Sequence, residues 1–281
     1  MLELAPINLH FNKDVRIILT DALVQYHLFD KNLPLVISFA PMDSGLSDQS
    51  LQDDTVQAFG FNFFKKQQFN VIAFAHKEDT YYRSDSFVSF IASIGNAISI
   101  FDNKIGYGIS LGGFAVALHA NSLGLERALL LMPQSSYSNK ITPWEKKSTK
   151  ACQLEDWNNK HNDAAICQVP LTIIYDPLCL TDKRHVDRFK CEVQHVRLFG
   201  VGHRIPRALR HLGILRNIVV NYINSGCVTH DFHQKIRDRR FLRYYLKNQL
   251  KNPTKKSSLK RRLVFLRLFV KLKLNKSFIA K

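Results

Sequence analysis

The sequence predicts an α/β fold, a mostly parallel central sheet flanked by helices, and three observations predict it. Apolar runs rich in β-branched residues recur along the chain, several of them continuous, as strands buried on both faces must be. Segments with apolar residues at helical spacing lie between these runs. Strand and helix therefore alternate, which implies parallel strands joined by right-handed crossovers. Strands are expected at 15–19, 35–40, 70–75, 104–109, 127–132, 170–175 and 193–198. A helix is expected at 54–66, with Val56, Phe59, Phe63 and Phe64 on one side. Another is expected at 86–100, through Phe87, Phe90, Ile91, Ile94 and Ile98, and two more at 112–123 and 206–223. With 281 residues, 46% of them hydrophobic, the chain has material for a full-sized core.

The formal charge of +17 is concentrated at one end. From Cys227 onward there are 17 Lys/Arg and 2 Asp/Glu; the first 226 residues carry 23 basic and 21 acidic side chains. The division this suggests is a nearly neutral domain at 1–226 and a basic tail at 227–281, helical or partly disordered. In the tail, helices are expected at about 230–250, ending before Pro253, and at about 258–274. Arg267, Lys271 and Lys273 do not share a side of the second helix, so its apolar face is imperfect. A basic helix with apolar content suits an anionic membrane surface. Nucleic acid ranks below that partner, because no known reading motif accompanies the charge. A chain cut after Gly226 is expected to fold, since the strand-helix alternation is complete by Ile223.

"MLELAPINLHFNKD" has no basic region followed by an apolar one, so no signal peptide is expected. No stretch approaches the ~18 apolar residues of a membrane span. Five widely spaced cysteines with no CxxC pair read as reduced thiols. The expected location is the cytoplasm, with the tail as a peripheral contact to the inner face of the membrane. "CVTHDFH" offers Cys227, His230 and His233 but no fourth ligand, and a zinc site is rejected.

The chemistry centres on "GYGISLGGFAVALHA", residues 106–120. Ser110 lies between Gly108 and Gly112 where a buried strand meets a helix start, the context of a nucleophile elbow. A dinucleotide fingerprint fails here, because its third glycine position holds Leu111. A serine nucleophile needs a base, and the base needs an orienting acid. "LTIIYDPLCLTDKRHVDRF" supplies an acid after a later strand, and "VRLFGVGHRIPRAL" then supplies His203 ahead of a helix that Pro206 can open. Two acids compete. Asp176 sits at the strand end before Pro177, which suggests a turn; Asp182 lies on the loop before a helix holding His185 and is preferred. A helix N-cap would suit Asp182 equally well.

With "GISLG" at the elbow, an aspartate after "LTIIYD" and "GVGH" late in the domain, the chain resembles the α/β-hydrolase superfamily over about 15–223, closest to poorly characterised bacterial members, some of them tied to surface polysaccharides. "LVISFAPM" looks like that superfamily's third strand, whose following loop lends an oxyanion donor. The resemblance implies backbone N–H groups from Leu111 and from the 40–43 loop, here Met42, since Pro41 has no N–H. It departs from the family at the acid turn, where "YDPLCLTD" replaces the usual glycine and aspartate, and at the missing HGGG loop. Tyr81, Tyr82 and Arg83 follow a strand at the same end of the sheet and are candidates for the substrate pocket. The polar excursion at 134–163, which carries both tryptophans, reads as a lid-like insertion.

The implied activity is serine-dependent acyl transfer on an ester-bearing substrate, a glycan among the candidates, by a carboxylic ester hydrolase with a Ser-His-Asp triad. No cofactor is needed for hydrolysis. The alternatives are a polysaccharide O-acyltransferase on the same triad, with acetyl-CoA as donor, and a non-catalytic hydrolase-fold binding protein at a membrane.

Overall fold

Successive side chains of a strand face opposite sides of a sheet, so a run buried at every position needs cover on both faces. In the computed structural model, which describes residues 7–77, 80–146, 151, 161–228, 231–251 and 258–274, the apolar runs in the middle of the sheet meet that condition, while those at its two edges, 14–18 and 193–197, are partly exposed. Strand β3 (Leu35–Phe39) sends Leu35, Ile37 and Phe39 into one core and Val36 into the other. Strand β7 (Leu171–Tyr175) divides in the same way, Ile173 to one side and Ile174 to the other.

The remaining strands are β1 (Asp14–Ile18), β2 (Ala22–His27), β4 (Asn70–His76), β5 (Lys104–Ile109), β6 (Arg127–Leu131) and β8 (Val193–Arg197). They form one sheet in the order β1-β2-β4-β3-β5-β6-β7-β8. Strands β1 and β2 pair antiparallel at one edge, and every pair from β4·β3 to β7·β8 is parallel. Strand β2 was not expected from the sequence. Its buried Gln25 and His27 break the apolar run, and Gln25 is accommodated by accepting the Ala58 N–H.

The helices are α1 (Asp48–Gln52), α2 (Phe61–Lys66), α3 (Asp85–Ala97), α4 (Leu111–His119), α5 (Leu180–Val186), α6 (Ile205–His211), α7 (Leu215–Ser225), α8 (Phe232–Lys235), α9 (Arg243–Lys251) and α10 (Leu259–Leu274). The single helix expected at 54–66 is only α2, because Gly60 takes a left-handed φ of 86° just before it. A Cβ there would also crowd Phe64 at 2.9 Å. The helix expected at 206–223 divides at Gly213 into α6 and α7.

The segment beyond Gly226 packs against the domain. Phe232, Ile236, Tyr245 and Leu246 are buried in the core on the helix-α6 side of the sheet. Gly200 in the loop after β8 leaves no room for a Cβ, which would lie 2.5 Å from Gln249 and 2.6 Å from Tyr245. The change of charge at Gly226 is therefore not a packing boundary, and cutting there would uncover core. Helix α10 explains why its basic residues are not confined to one side. Phe265, Leu268, Phe269 and Leu272 pack inward, while Leu259, Leu263, Leu266, Val270 and Leu274 form a second, exposed stripe. Among the described residues no helix is long and apolar enough to cross a membrane.

Candidate active site

Strand β5 ends at Ile109 and α4 begins at Leu111, so the chain must reverse direction within Ser110. Ser110 does this at φ 52° and ψ −109°, a conformation that costs a non-glycine residue about 1–3 kcal/mol. The bend holds because the glycines let neighbouring backbone close in. A Cβ on Gly112 would lie 2.2 Å from the Phe39 carbonyl oxygen, and one on Gly108 would lie 2.3 Å from that of Gly112. The Ser110 N–H donates to the Leu131 carbonyl at 3.0 Å, and its own carbonyl accepts from Phe114 at 3.0 Å.

His203 stands on the loop between β8 and α6. Its Nε2 is 3.2 Å from Ser110 Oγ, and its Nδ1 is 2.7 Å from Asp182 Oδ1. The carboxylate orients the ring with the Nδ1 proton toward itself, leaving Nε2 as acceptor for the serine hydroxyl. Asp182 lies in the first turn of α5 and is only 1% exposed. It does not cap that helix, whose N-cap is Cys179. Burial, with the Asp182 charge beside it, raises the pKa of the Cys179 thiol.

The two aspartates are thus separated by task. Asp176 is buried at the end of β7 and accepts the Gly202 N–H at 2.6 Å on one oxygen and the Leu178 N–H at 2.9 Å on the other. It holds the loop that carries His203. Burial pushes its pKa up, and the backbone N–H groups oppose that shift. The far side of α5 is anchored by His185, which accepts the Ser135 N–H at 3.1 Å through Nδ1 and reaches the Glu145 carboxylate at 3.2 Å through Nε2. The excursion after β6 therefore braces the helix that presents Asp182.

Leu111 is the first residue of α4 and Met42 the first of a 3-10 turn at Met42–Ser44. First-turn N–H groups have no acceptor within their own helix, and among the described residues no other backbone carbonyl takes up either one, so both remain candidates for an oxyanion. Met42 also lines the cavity over Ser110, a space of about 690 Å³.

Tyr81, Tyr82 and Arg83 are placed elsewhere. All three are buried, and none lines this cavity. The Tyr82 hydroxyl donates to the Ala40 and Phe74 carbonyls, and Arg83 Nε donates to the His161 carbonyl at 2.7 Å. Tyr81 packs on Tyr137, ring centroids 5.1 Å apart, and the Tyr137 phenol adjoins the Ser110 side chain. These residues support the elbow from behind, because the chain after β4 turns inward where they were expected to line the substrate pocket. In the excursion, Ser135, Ser136, Tyr137, Ser138 and Thr142 are buried, and none of its described residues lines the cavity. Residues 147–150 and 152–160, the middle of the expected lid, lie outside the described residues, as does His230.

The cavity wall was not anticipated. Phe59, Ile109 and Met132 form its apolar side, and Arg204, Arg207, Arg210 and His211 its basic side. The signal was present in "HRIPRALRH", where arginine recurs every third residue after His203.

No family model matches the chain, and no curated protein matches it in sequence. Solved structures do. The capsule O-acetyltransferase of Neisseria meningitidis serogroup A superposes with a TM-score of 0.52 at 15% identity, over 75% of this chain and 94% of that one. An esterase of Pyrobaculum calidifontis superposes with a TM-score of 0.51 at 14% identity, over 77% and 85%. The fold is α/β-hydrolase-like. At these identities the likeness establishes the architecture alone, and the chemistry has to be argued from the site.

Proposed function

We propose that the protein is a serine-dependent acyl-transfer enzyme, acting as a carboxylic ester hydrolase through Ser110, His203 and Asp182. The observation that carries this reading is the continuous relay, 3.2 Å from Ser110 Oγ to His203 Nε2 and 2.7 Å from His203 Nδ1 to Asp182. Such distances suit proton transfer and disfavour a binding protein that merely keeps the fold. Ser110 Oγ attacks the ester carbonyl while Nε2 takes its proton. The N–H groups of Leu111 and Met42 receive the charge that forms on the carbonyl oxygen. Asp182 stabilises the imidazolium, which then gives its proton to the leaving alcohol. A water, deprotonated by the same imidazole, releases the acid from the acyl-enzyme.

Transfer of the acyl group to a sugar hydroxyl, from acetyl-CoA, is a second reading on the same residues. Its support is the cavity of about 690 Å³, which leaves room for an acceptor beside the acyl group. Treatment with a fluorophosphonate probe followed by mass spectrometry is expected to place the label on Ser110. Labelling elsewhere, or none in folded protein, sinks the mechanism. Incubation with acetyl-CoA and a glycan separates the two readings, since only the transferase yields an acylated sugar.

The proposal includes a location. The exposed stripe of α10 is flanked by Arg262 and Lys273 on one side and by Lys260, Arg267 and Lys271 on the other. A face of that kind lies in the headgroup layer of an anionic membrane, the apolar residues inserted and the cations on lipid phosphates. The protein would then work at the cytoplasmic face of a membrane without crossing it. Leu263→Asp with Leu266→Asp is expected to abolish the salt-resistant part of binding to anionic vesicles in a flotation assay. Binding equal to that of the unaltered chain would remove α10 as the contact.

A further inference from the structure

Three of the cavity's lining residues form an ordered row of cations. Arg204, Arg207 and Arg210 recur every third residue on α6 and its N-cap, so each step advances about 4.5 Å along one side of the helix. All three are exposed, and among the described residues none forms an ion pair. Arg207 is steadied by lying over the Tyr244 ring, 5.6 Å from its centroid, which orients the guanidinium without neutralising it. Opposing them is one carboxylate, the exposed Asp43 on the facing loop.

The row continues beyond the imidazole. A second cavity, about 300 Å³, shares His203 and Arg204 with the first and is lined by Lys247 and Lys251 of α9. Five cations thus border two adjoining spaces that meet at the base of the relay. Like charges gathered without partners repel one another and destabilise the fold, but together they concentrate and orient a polyanion. Guanidinium forks match phosphate oxygens in pairs. A single carboxylate would satisfy one of these groups and leave the others unmatched.

We propose that the Ser110 cavity takes a substrate bearing two or more phosphate groups, which Arg204, Arg207 and Arg210 hold along one wall while Lys247 and Lys251 extend the track past His203. For the bond that reacts, this rests on the acyl-transfer reading; for binding, it does not. The phosphates have two sources: a coenzyme A acyl donor, whose carrier bears several, or an acceptor glycan with phosphates in its backbone.

Calorimetric titration of the full chain with tripolyphosphate tests the binding step without turnover. Saturable binding is expected at low salt, weakening at least tenfold between 50 and 300 mM salt. Arg207→Gln with Arg210→Gln is expected to weaken it at least tenfold, while Lys13→Gln with Lys31→Gln, outside both cavities, removes the same charge and leaves it unchanged. No binding at low salt, or equal losses in the two double variants, overturns the proposal. Titration with coenzyme A and with a phosphodiester-linked oligosaccharide then assigns the source, and tight, arginine-dependent binding of either one supports it. Tripolyphosphate binding through the arginines in a chain that resists the fluorophosphonate would refute the acyl-transfer reading and leave this one standing.

Discussion

The glycines that shape the Ser110 bend lie within two positions of it, though the backbone they admit includes that of remote Phe39, whereas His203 and Asp182 are positioned wholly by residues far along the chain. At the elbow, Gly108 and Gly112 admit the backbone contacts that keep the serine at its positive φ. At the other two loops the supports are remote: Asp176 on the Gly202 N–H, Asn248 on the Gly200 carbonyl, and Ser135 with Glu145 on His185. A nucleophile can be built from one short segment, because a strand-turn-helix unit is local. A base and an acid arrive only when separate strand ends come together, so their geometry depends on the whole sheet.

Substitutions at the two regions should differ in kind, beginning with the largest effect. Ser110→Ala removes the proposed nucleophile and is expected to lower kcat/KM for an activated acetyl ester by about 10⁴-fold or more, with the thermal midpoint nearly unchanged. Asp182→Asn keeps the shape of the relay but reverses the preference at Nδ1, and about a 10⁴-fold loss in kcat is expected. If Asp182→Asn retains most of the activity, the acid has been wrongly assigned.

A third test reads the helix behind the elbow. His119 at the end of α4 is buried, with Nε2 2.9 Å from the Tyr82 carbonyl, and burial holds its pKa down to about 4. Its value in an unfolded chain is near 6.5. The stability it secures is present above about pH 6.5 and is lost as pH falls toward 4, because the unfolded chain then binds the proton more readily. The loss should reach about 3 kcal/mol by pH 4. Urea unfolding of the parent and His119→Gln at pH 7.5 and 4.5 should show the smaller drop in the variant; parallel drops would mean that another group sets the slope.

Smallest of all is the expected effect of Asp176→Asn. The amide can accept one of the two N–H groups but presents its own NH₂ to the other, so the His203 loop shifts rather than loses a reacting group. About a tenfold fall in kcat, from one hydrogen bond's worth of misplacement, is expected. A loss as deep as that of Asp182→Asn would erase the distinction between the two carboxylates.

The sequence by itself determined the alternation of strand and helix, the strand-to-helix position of Ser110, and the order in which Ser110, two aspartates and His203 follow the strands. Each is written in a local pattern: a continuous apolar run, a serine between glycines, a polar residue just past a strand. Residues 104–109 are a strand as expected, because a continuous apolar run reads as a buried strand before its partners, β3 and β6, are known. Strand β2 was illegible because its buried Gln25 and His27 are tolerated only through partners elsewhere, the Ala58 N–H and the Asp14 carboxylate. Only the tertiary structure decided that Asp182 meets His203 while Asp176 holds the Gly202 N–H, since both follow the same strand and differ in which way the chain turns afterwards. It also decided that Tyr81, Tyr82 and Arg83 turn inward and that the segment after Gly226 lies on the core. Burial belongs to the assembled surface around a residue; composition and spacing supply the side chain, and the neighbours that cover it come from the rest of the fold.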